Sequence, residues 1–297
     1  MILQPVGERE IQPIDIFRAK VRIREHIVRT PLLFSRALSE RTGCEIYLKL
    51  ECWQRSGCFK VRGATNLVAT LTAAERARGL VTASSGNHGL AVARAARLLG
   101  CASATIFLPN GADQTKVDKI RRWTHDILHH GECYADAYRG ALRYAEEQGA
   151  FLVHSHAHPL IIAGQGTIGL EILDALPDAD TILVPIGGGG LISGIALAVK
   201  SASPNVDVIG VEPSAAPAAY RSLRDGTCYE EIEVGSSIAD GLLGGFGQLP
   251  YQICRRLVSD VALVEDPEIV EAMVAFQHDE QLMVEAAAAV GLAALLV

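Results

Sequence analysis

The sequence lacks the features that mark several large classes of protein. Its seven cysteines are odd in number and include no Cys-x-x-Cys pair, so they indicate neither a disulfide framework nor a zinc knuckle. No apolar run is as long as a membrane-spanning helix, and the first residues lack the charged and apolar regions of a signal peptide. Acidic residues outnumber basic ones, 34 against 27, which argues against a nucleic-acid partner. We therefore expect a cytoplasmic protein with neither a membrane nor a nucleic-acid partner.

The residues that are present indicate an alternating α/β chain. The 297 residues are 49% hydrophobic, enough for two domains or one large one with a substantial core. Short apolar strands alternate with helices, which predicts parallel sheets covered by helices. The predicted strands of a first alternation are 80–83, 104–108, 126–129 and 151–153, and those of a second are 181–186, 206–211 and 261–264. Between the last two of these, 212–258 is rich in turns and shows no clear pattern.

A lysine at position 60 follows an aromatic residue in a segment that opens with Ser56 and Gly57 and closes with Gly63. A lysine held in an apolar pocket or near another cation, such as Arg62, loses its proton more readily and can condense with an aldehyde. Most lysines are solvated surface residues, so this segment alone carries little weight. It gains weight from a run of glycines more than a hundred residues further along.

That run stands between a predicted strand and a predicted helix and consists of Gly187, Gly188, Gly189 and Gly190. Backbone N–H groups without side chains around them, at the start of a helix, suit a phosphate because the helix dipole favours its charge. No Gly-Lys-Ser/Thr follows, so the run is not a Walker motif. A tight turn would need fewer glycines, so we interpret the run as a phosphate-binding loop, the glycine loop.

Residues 84–89 read Ser-Ser-Gly-Asn-His-Gly and also join a predicted strand to a predicted helix. Their hydroxyls, backbone amides and Asn87 would suit a carboxylate at the helix N-terminus. The simpler alternative is a helix N-cap with an Asn and Gly turn. Taken alone, the pattern favours the simpler alternative.

Two other patterns resemble sites that we do not favour. Residues 164–169 match Gly-x-Gly-x-x-Gly but lack the acidic residue about twenty positions further on that a dinucleotide site needs. His154, His156 and His158 alternate as zinc ligands on a strand would. No nearby cysteine or carboxylate completes the set, so we expect no metal and instead one of these histidines as an active-site side chain.

Taken together, the motifs resemble one family. The segments 56–64, 84–88, 163–167 and 187–190 are similar, in order and spacing, to the threonine dehydratase and serine racemase group of pyridoxal-phosphate enzymes. These enzymes have the fold-type II, or tryptophan-synthase-β-like, fold. The resemblance implies an α/β protein of two three-layer domains with open, mainly parallel sheets, and pyridoxal 5'-phosphate in the cleft between them.

The resemblance also implies domain boundaries. A large cofactor-binding domain would comprise 1–55 and 159–297. A small domain with a mobile substrate loop would comprise 56–158, with its core at about 80–158. We further expect a homodimer.

Individual residues acquire implied roles from the same resemblance. Lys60 corresponds to the lysine that forms the Schiff base, and Phe59 to the residue that packs on the pyridine ring. The implied cofactor ligands are Asn87 at the ring hydroxyl and, at the phosphate, Gly187, Gly188, Gly189, Gly190 and Leu191. The implied substrate-binding residues are Ser84, Ser85, Gly86, Asn87, His88 and His156.

The implied activity is the β-elimination of a β-hydroxy amino acid, such as threonine or serine, to a 2-oxo acid and ammonia. Racemases of this group carry a serine where Ser85 stands, as the second base opposite the lysine, so a racemase that uses Lys60 and Ser85 is one alternative. A dehydratase of hydroxyectoine utilisation is another. A fourth possibility, of a different class, is a ligand-binding module that kept the fold without catalysis.

Racemase-like members bind a divalent cation through a glutamate, here Glu212, and an aspartate six residues further on. The second position is Ala218 in this chain. We therefore expect no cation there. In this family, a serine or cysteine on a final strand hydrogen-bonds to the pyridine nitrogen. We assign this role to no residue of the given sequence, whose last residue is Val297.

Overall fold

A computed structural model describes residues 10–84, 86–124 and 126–297. The helices are α1 Pro13–Ile23, α2 Arg36–Thr42, α3 Lys60–Thr70, α4 Ala73–Ala77, α5 Asn87–Leu98, α6 Gln114–Arg121, α7 Tyr134–Gln148, α8 Pro159–Ala175, α9 Gly190–Ala202, α10 Ala218–Asp225, α11 Gln248–Leu257, α12 Asp266–Glu280 and α13 Ala286–Leu296. The strands are β1 Leu32–Ser35, β2 Ile46–Lys49, β3 Leu80–Ala83, β4 Ala104–Leu108, β5 Ile127–His129, β6 Phe151–Leu152, β7 Thr181–Pro185, β8 Asp207–Pro213 and β9 Asp260–Val264. Among the described residues, no helix is both long and apolar enough to cross a membrane.

The first parallel sheet has the strand order β5-β4-β3-β6. Its central strands β3 and β4 are buried along their whole length, as their nearly continuous apolar sequences require when helices cover both faces. The helices α3, α5 and α6 pack on one face around Ile106 and Leu80. The small residues of α7 pack on the other face against Val81 and Phe107. This sheet is therefore the middle of a three-layer α/β unit.

The second parallel sheet has the strand order β7-β8-β9. Ile182 and Val208 face a core that they share with α9, α10 and α11. Leu183 and Val211 face the opposite core, which α12 and α13 fill. A separate antiparallel hairpin pairs β1 with β2. The mixed α/β architecture with parallel sheets is the one that the sequence predicted.

The structure adds two features that the sequence did not indicate. The region 212–258, which showed no pattern, contains α10 and α11, because Gly226 and Gly247 bound these helices and their apolar faces pack on the second sheet. Helix α3 joins the core of the first sheet, and Ile161 of α8 lies in that same core. The two cores thus meet along α3 and α8, and the predicted boundary at 158 stays a prediction.

A buried ion-pair network anchors α3. Arg62 is fully buried and donates two hydrogen bonds to Glu51, at 2.8 and 2.7 Å, and two to Glu171, at 2.7 and 2.9 Å. Lys49 donates to the same Glu171 at 2.6 Å. Burial opposes the charge of Arg62, but these carboxylates outweigh it and raise the pKa of the guanidinium. The network contains two cations and two carboxylates, so it is electrically balanced inside the protein.

We expect Arg62→Met to lower the free energy of unfolding by about 3–5 kcal/mol, because it takes the guanidinium away from Glu51 and leaves Glu171 with Lys49 alone. Urea unfolding followed by circular dichroism measures the loss. Arg36→Met is the matched control, since Arg36 pairs with Glu40 on the exposed face of α2 at 2.8 Å and such pairs contribute little. Equal stability of the two variants would contradict the structural role of Arg62.

Candidate active site

A cavity of about 1860 Å³ opens at the carboxyl ends of β3 and β6 in the first parallel sheet and of β7 in the second. Ligand sites in α/β proteins form at this edge, because the loops after neighbouring strands converge there. The residues predicted from sequence line this cavity: Phe59, Lys60, Ser84, Gly86, Asn87, His88, His156, Gly187, Gly188, Gly189, Gly190 and Leu191. Ser85 lies outside the described residues, so its predicted role stays a prediction. The fold thus brings segments more than a hundred residues apart to one place.

Lys60 is the first residue of α3, and its ammonium nitrogen lies 5.3 Å from the centre of the Phe59 ring. Burial lowers the pKa of Lys60, while Cys58 and Glu285 act in the opposite direction. The thiol of Cys58 stays protonated, since burial raises its pKa to about 12. A lysine in this setting gives up its proton more easily than a surface lysine, as a nucleophilic or basic amine must.

The glycine loop has glycine for steric reasons at each of three positions. Gly189 has a φ of +86°, and a Cβ there would stand 2.2 Å from the ring of Phe246. A Cβ at Gly188 would stand 2.3 Å from the ring of His156, and one at Gly190 would stand 2.9 Å from the His156 carbonyl oxygen. The loop leads directly into α9, so its backbone has the form that suits an anion at a helix N-terminus. These residues fit the phosphate group of the predicted cofactor.

Asn87 meets a residue that the sequence reading did not include in the site. Its side-chain amide donates to both carboxylate oxygens of Glu285, at 3.0 and 3.1 Å. Asn87 begins α5 and Glu285 precedes α13, so this contact joins the first sheet's unit to the second. The only sequence signal for Glu285 was its place at the start of an alanine-rich helix, which is typical of a plain N-terminal acid.

Ser84 and His88, in the same segment, make hydrogen bonds to the backbone. The Ser84 hydroxyl accepts a hydrogen bond from the Gly86 N–H at 3.2 Å. His88 is buried, and its Nε2 lies 3.3 Å from the carbonyl oxygen of Val153. Burial lowers the pKa of His88 to about 3, so the ring is neutral and donates to that carbonyl. His88 therefore links α5 to the end of β6.

The three alternating histidines do not converge as ligands of a metal. His154 Nδ1 accepts the N–H groups of His156 and Ala157, at 3.2 and 2.9 Å. His158 Nδ1 accepts the N–H of Leu160 at 3.1 Å and caps α8. Within 10–84, 86–124 and 126–297, no group of three or more histidine, cysteine or acidic side chains is arranged to hold a metal ion.

His156 lies between the 154–158 segment and the glycine loop. Its Nδ1 is 2.8 Å from the Ser155 hydroxyl, and its ring centre is 4.7 Å from that of His154. The sequence reading expected this side chain to face the substrate. The structure places it beside Gly188 and Gly190, within the same cavity as Lys60.

Glu212 accepts backbone hydrogen bonds at the start of a helix. Its two carboxylate oxygens accept the N–H groups of Ala219 and Tyr220, each at 2.9 Å, at the start of α10. Burial raises the pKa of Glu212 to about 7, although the two N–H groups act against this shift. The carboxylate therefore caps a helix at the position that corresponds to a cation ligand in racemase-like proteins.

Four neutral histidines make the stability of this region sensitive to acid. Burial lowers the pKa of His154 and of His158 from the usual 6.5 to about 4, and it also lowers the pKa values of His88 and His156. Below pH 6.5 these histidines bind protons in the unfolded chain, whereas in the folded chain His154 and His158 bind them only at about pH 4. We expect the contribution of these histidines to the free energy of unfolding to be complete above pH 6.5 and to fall as the pH drops to about 4.

Urea unfolding at a series of pH values measures this dependence. His158→Asn keeps a side chain that can cap α8 but removes one titrating group, so it should reduce the proton uptake on unfolding by about one. His129→Asn, at an exposed position, is the control. An unchanged pH dependence in His158→Asn would contradict this account.

Known proteins resemble this chain over most of its length. A family model described as pyridoxal-phosphate dependent enzyme matches residues 23–297. The L-threonine ammonia-lyase of Thermotoga maritima is 43% identical over 283 residues, which are 95% of this chain and 70% of that protein. The serine racemase of Arabidopsis thaliana is 41% identical over 283 residues, which are 95% of this chain and 85% of that protein. The solved structure of maize serine racemase has a TM-score of 0.92 and 38% identity, and the match covers 97% of this chain and 87% of that one.

Proposed function

We propose that this chain, which belongs to the family of pyridoxal-phosphate dependent enzymes, is an ammonia-lyase that converts a β-hydroxy amino acid to a 2-oxo acid and ammonia. The family match and the relatives confirm the predicted family, fold class and cofactor. The observation that carries the proposed reaction is Lys60, a lysine with a lowered pKa in the same cavity as the glycine loop. The relatives named threonine ammonia-lyase and threonine dehydratase, at 39–45% identity, support the choice of reaction.

The residues that would hold the cofactor surround this cavity. Lys60 would bind its aldehyde, the N–H groups of the glycine loop and of Leu191 would bind its phosphate, and Asn87 its ring hydroxyl. When bound, pyridoxal phosphate withdraws electrons from the bonds at the α-carbon of an amino acid. The side chains of this protein would then bind and orient the substrate and move protons.

Lys60 would act as the general base. Its Nζ amine would take the α-proton of a bound amino acid, and its lowered pKa favours the unprotonated form that a base requires. Residues 84–88 would orient the substrate carboxylate at the start of α5. Loss of the β-hydroxyl as water, followed by uptake of one water, balances the conversion to a 2-oxo acid and ammonia.

Racemisation is the second candidate activity, because serine racemases are comparably similar to this chain, at 40–41% identity. It needs a second proton carrier on the face opposite Lys60, and we propose Ser85 for that role. Incubation with L-threonine or L-serine, followed by separate assays of the 2-oxo acid and the D-amino acid, distinguishes the two activities. We expect the 2-oxo acid to be the main product; a predominance of the D-amino acid would make the enzyme a racemase.

We expect Lys60→Ala to abolish both activities and the visible absorption of the bound cofactor, because the variant has neither the attachment point nor the base. Absorption spectra and product assays measure the two effects. Lys200→Ala is the control, since Lys200 is a half-buried residue outside the cavity whose ammonium donates to the Pro204 carbonyl oxygen after α9. Turnover retained by Lys60→Ala would refute the role of this lysine.

A screen of other β-hydroxy amino acids, including one derived from hydroxyectoine, tests the remaining choice of substrate.

We further propose a homodimer in the cytoplasm. The seven cysteines are all free, which supports a reducing compartment. Helix α1 buries Ile16 on one face, while the apolar side chains of Ile14, Phe17 and Val21 are 49%, 51% and 64% exposed on the other. Such a stripe supports a symmetric contact between two copies.

We expect Phe17→Asp to shift the protein from dimer to monomer in sedimentation equilibrium, because a carboxylate in an apolar contact loses its hydration. Val270→Asp is the control, at a position on α12 that is 48% exposed. A dimer that survives Phe17→Asp but not Val270→Asp would place the contact on α12 instead.

A further inference from the structure

His156 fills the space where the glycine loop has no side chains. A Cβ at Gly188 would stand 2.3–2.5 Å from its Nδ1, Cγ and Cε1 atoms, and a Cβ at Gly247 would stand 2.9 and 3.1 Å from its Cδ2 and Nε2 atoms. The side chains of Phe246 and Pro250 lie against Gly189. Of these three neighbours, only His156 carries a hydrogen-bond donor.

One nitrogen of His156 is already engaged. Nδ1 lies 2.8 Å from the Ser155 hydroxyl, which in turn lies 3.3 Å from the Tyr134 hydroxyl. When Tyr134 donates to Ser155 and Ser155 donates to Nδ1, the proton of the neutral ring stands on Nε2. Within the described part of the chain Nε2 has no hydrogen-bond partner, and the ring borders the cavity. A donor is thus left over on His156, whereas the hydroxyl of Ser193, which also touches the loop, already donates to the Gly189 carbonyl oxygen at 2.7 Å.

We propose that His156 is a phosphate-binding residue of the cofactor site, which donates its Nε2–H to the cofactor phosphate and is held in that tautomer by Ser155 and Tyr134. This role differs from the substrate-facing role that the sequence suggested. It adds a side-chain donor to a loop that otherwise offers backbone N–H groups. Hydrogen bonds to a charged acceptor are among the stronger ones in proteins.

The experiment compares two cofactors on the same protein. Enzyme loaded with pyridoxal phosphate and enzyme loaded with pyridoxal, which lacks the phosphate, are diluted, and the loss of visible absorption gives each dissociation constant. For His156→Phe, which keeps a flat ring without the donor, we expect the pyridoxal phosphate constant to rise about tenfold, as the loss of one charge-assisted hydrogen bond predicts. The pyridoxal constant should change less than about twofold.

Three further variants make the result specific. His156→Gln places an amide donor near the Nε2 position and should restore most of the affinity for pyridoxal phosphate. Ser155→Ala keeps the ring but releases its tautomer, so a partial loss is expected. His129→Phe, at an exposed position, should have no effect. The ³¹P resonance of the bound cofactor should also differ between the loaded wild-type enzyme and the loaded His156→Phe variant.

Two outcomes would overturn the proposal. Equal weakening of pyridoxal phosphate and pyridoxal would mean that His156 only supports the fold of the loop. Unchanged affinity for both, with a raised KM for the amino acid, would mean that His156 contacts the substrate. The two cofactor constants are measured without turnover, so they do not depend on whether the enzyme is a lyase or a racemase; only the KM requires an activity assay.

Discussion

The position of Lys60 depends on the buried charge of Arg62. The two residues lie on the first turn of α3, and Arg62 is held by Glu51 before that helix and by Glu171 on α8. A charge inside a protein is stable only with its partners in place, so Lys60 cannot move without disturbing this network. Helix α8 also approaches α3 closely, since a Cβ at Gly164 would stand 2.6 Å from the Gly63 Cα. The backbone at Lys60 is thus anchored, and the other groups of the site are arranged around it.

The site around that point is made of neutral or internally paired groups. Burial keeps four histidines unprotonated, and Asn87 pairs with the carboxylate of Glu285. We therefore expect little competition from charged side chains for the phosphate and the substrate carboxylate that we propose to bind at the glycine loop and at the start of α5. This environment also explains the lowered pKa of Lys60, because the desolvation that disfavours its charge outweighs the nearby carboxylate of Glu285.

The sequence could predict the parts of this protein that are encoded locally. Alternating apolar strands and helices, and four glycines between a strand and a helix, predict parallel sheets and an anion site without any knowledge of contacts. Glu285 and the hydrogen-bond chain through Ser155 could not be predicted, because their roles arise from residues that are far away in the chain or that turn towards the loop. The helices α10 and α11 were missed because their short apolar faces are defined only by the sheet beneath them.

The central claim is that Lys60 holds the cofactor while the glycine loop binds its phosphate. Borohydride reduction of the loaded enzyme, followed by peptide mapping with mass spectrometry, tests this claim most directly, because reduction fixes the pyridoxyl group to the lysine that carries it. The account predicts a single modified peptide with the added mass on Lys60. A modification on any other lysine, with Lys60 unmodified, would contradict it.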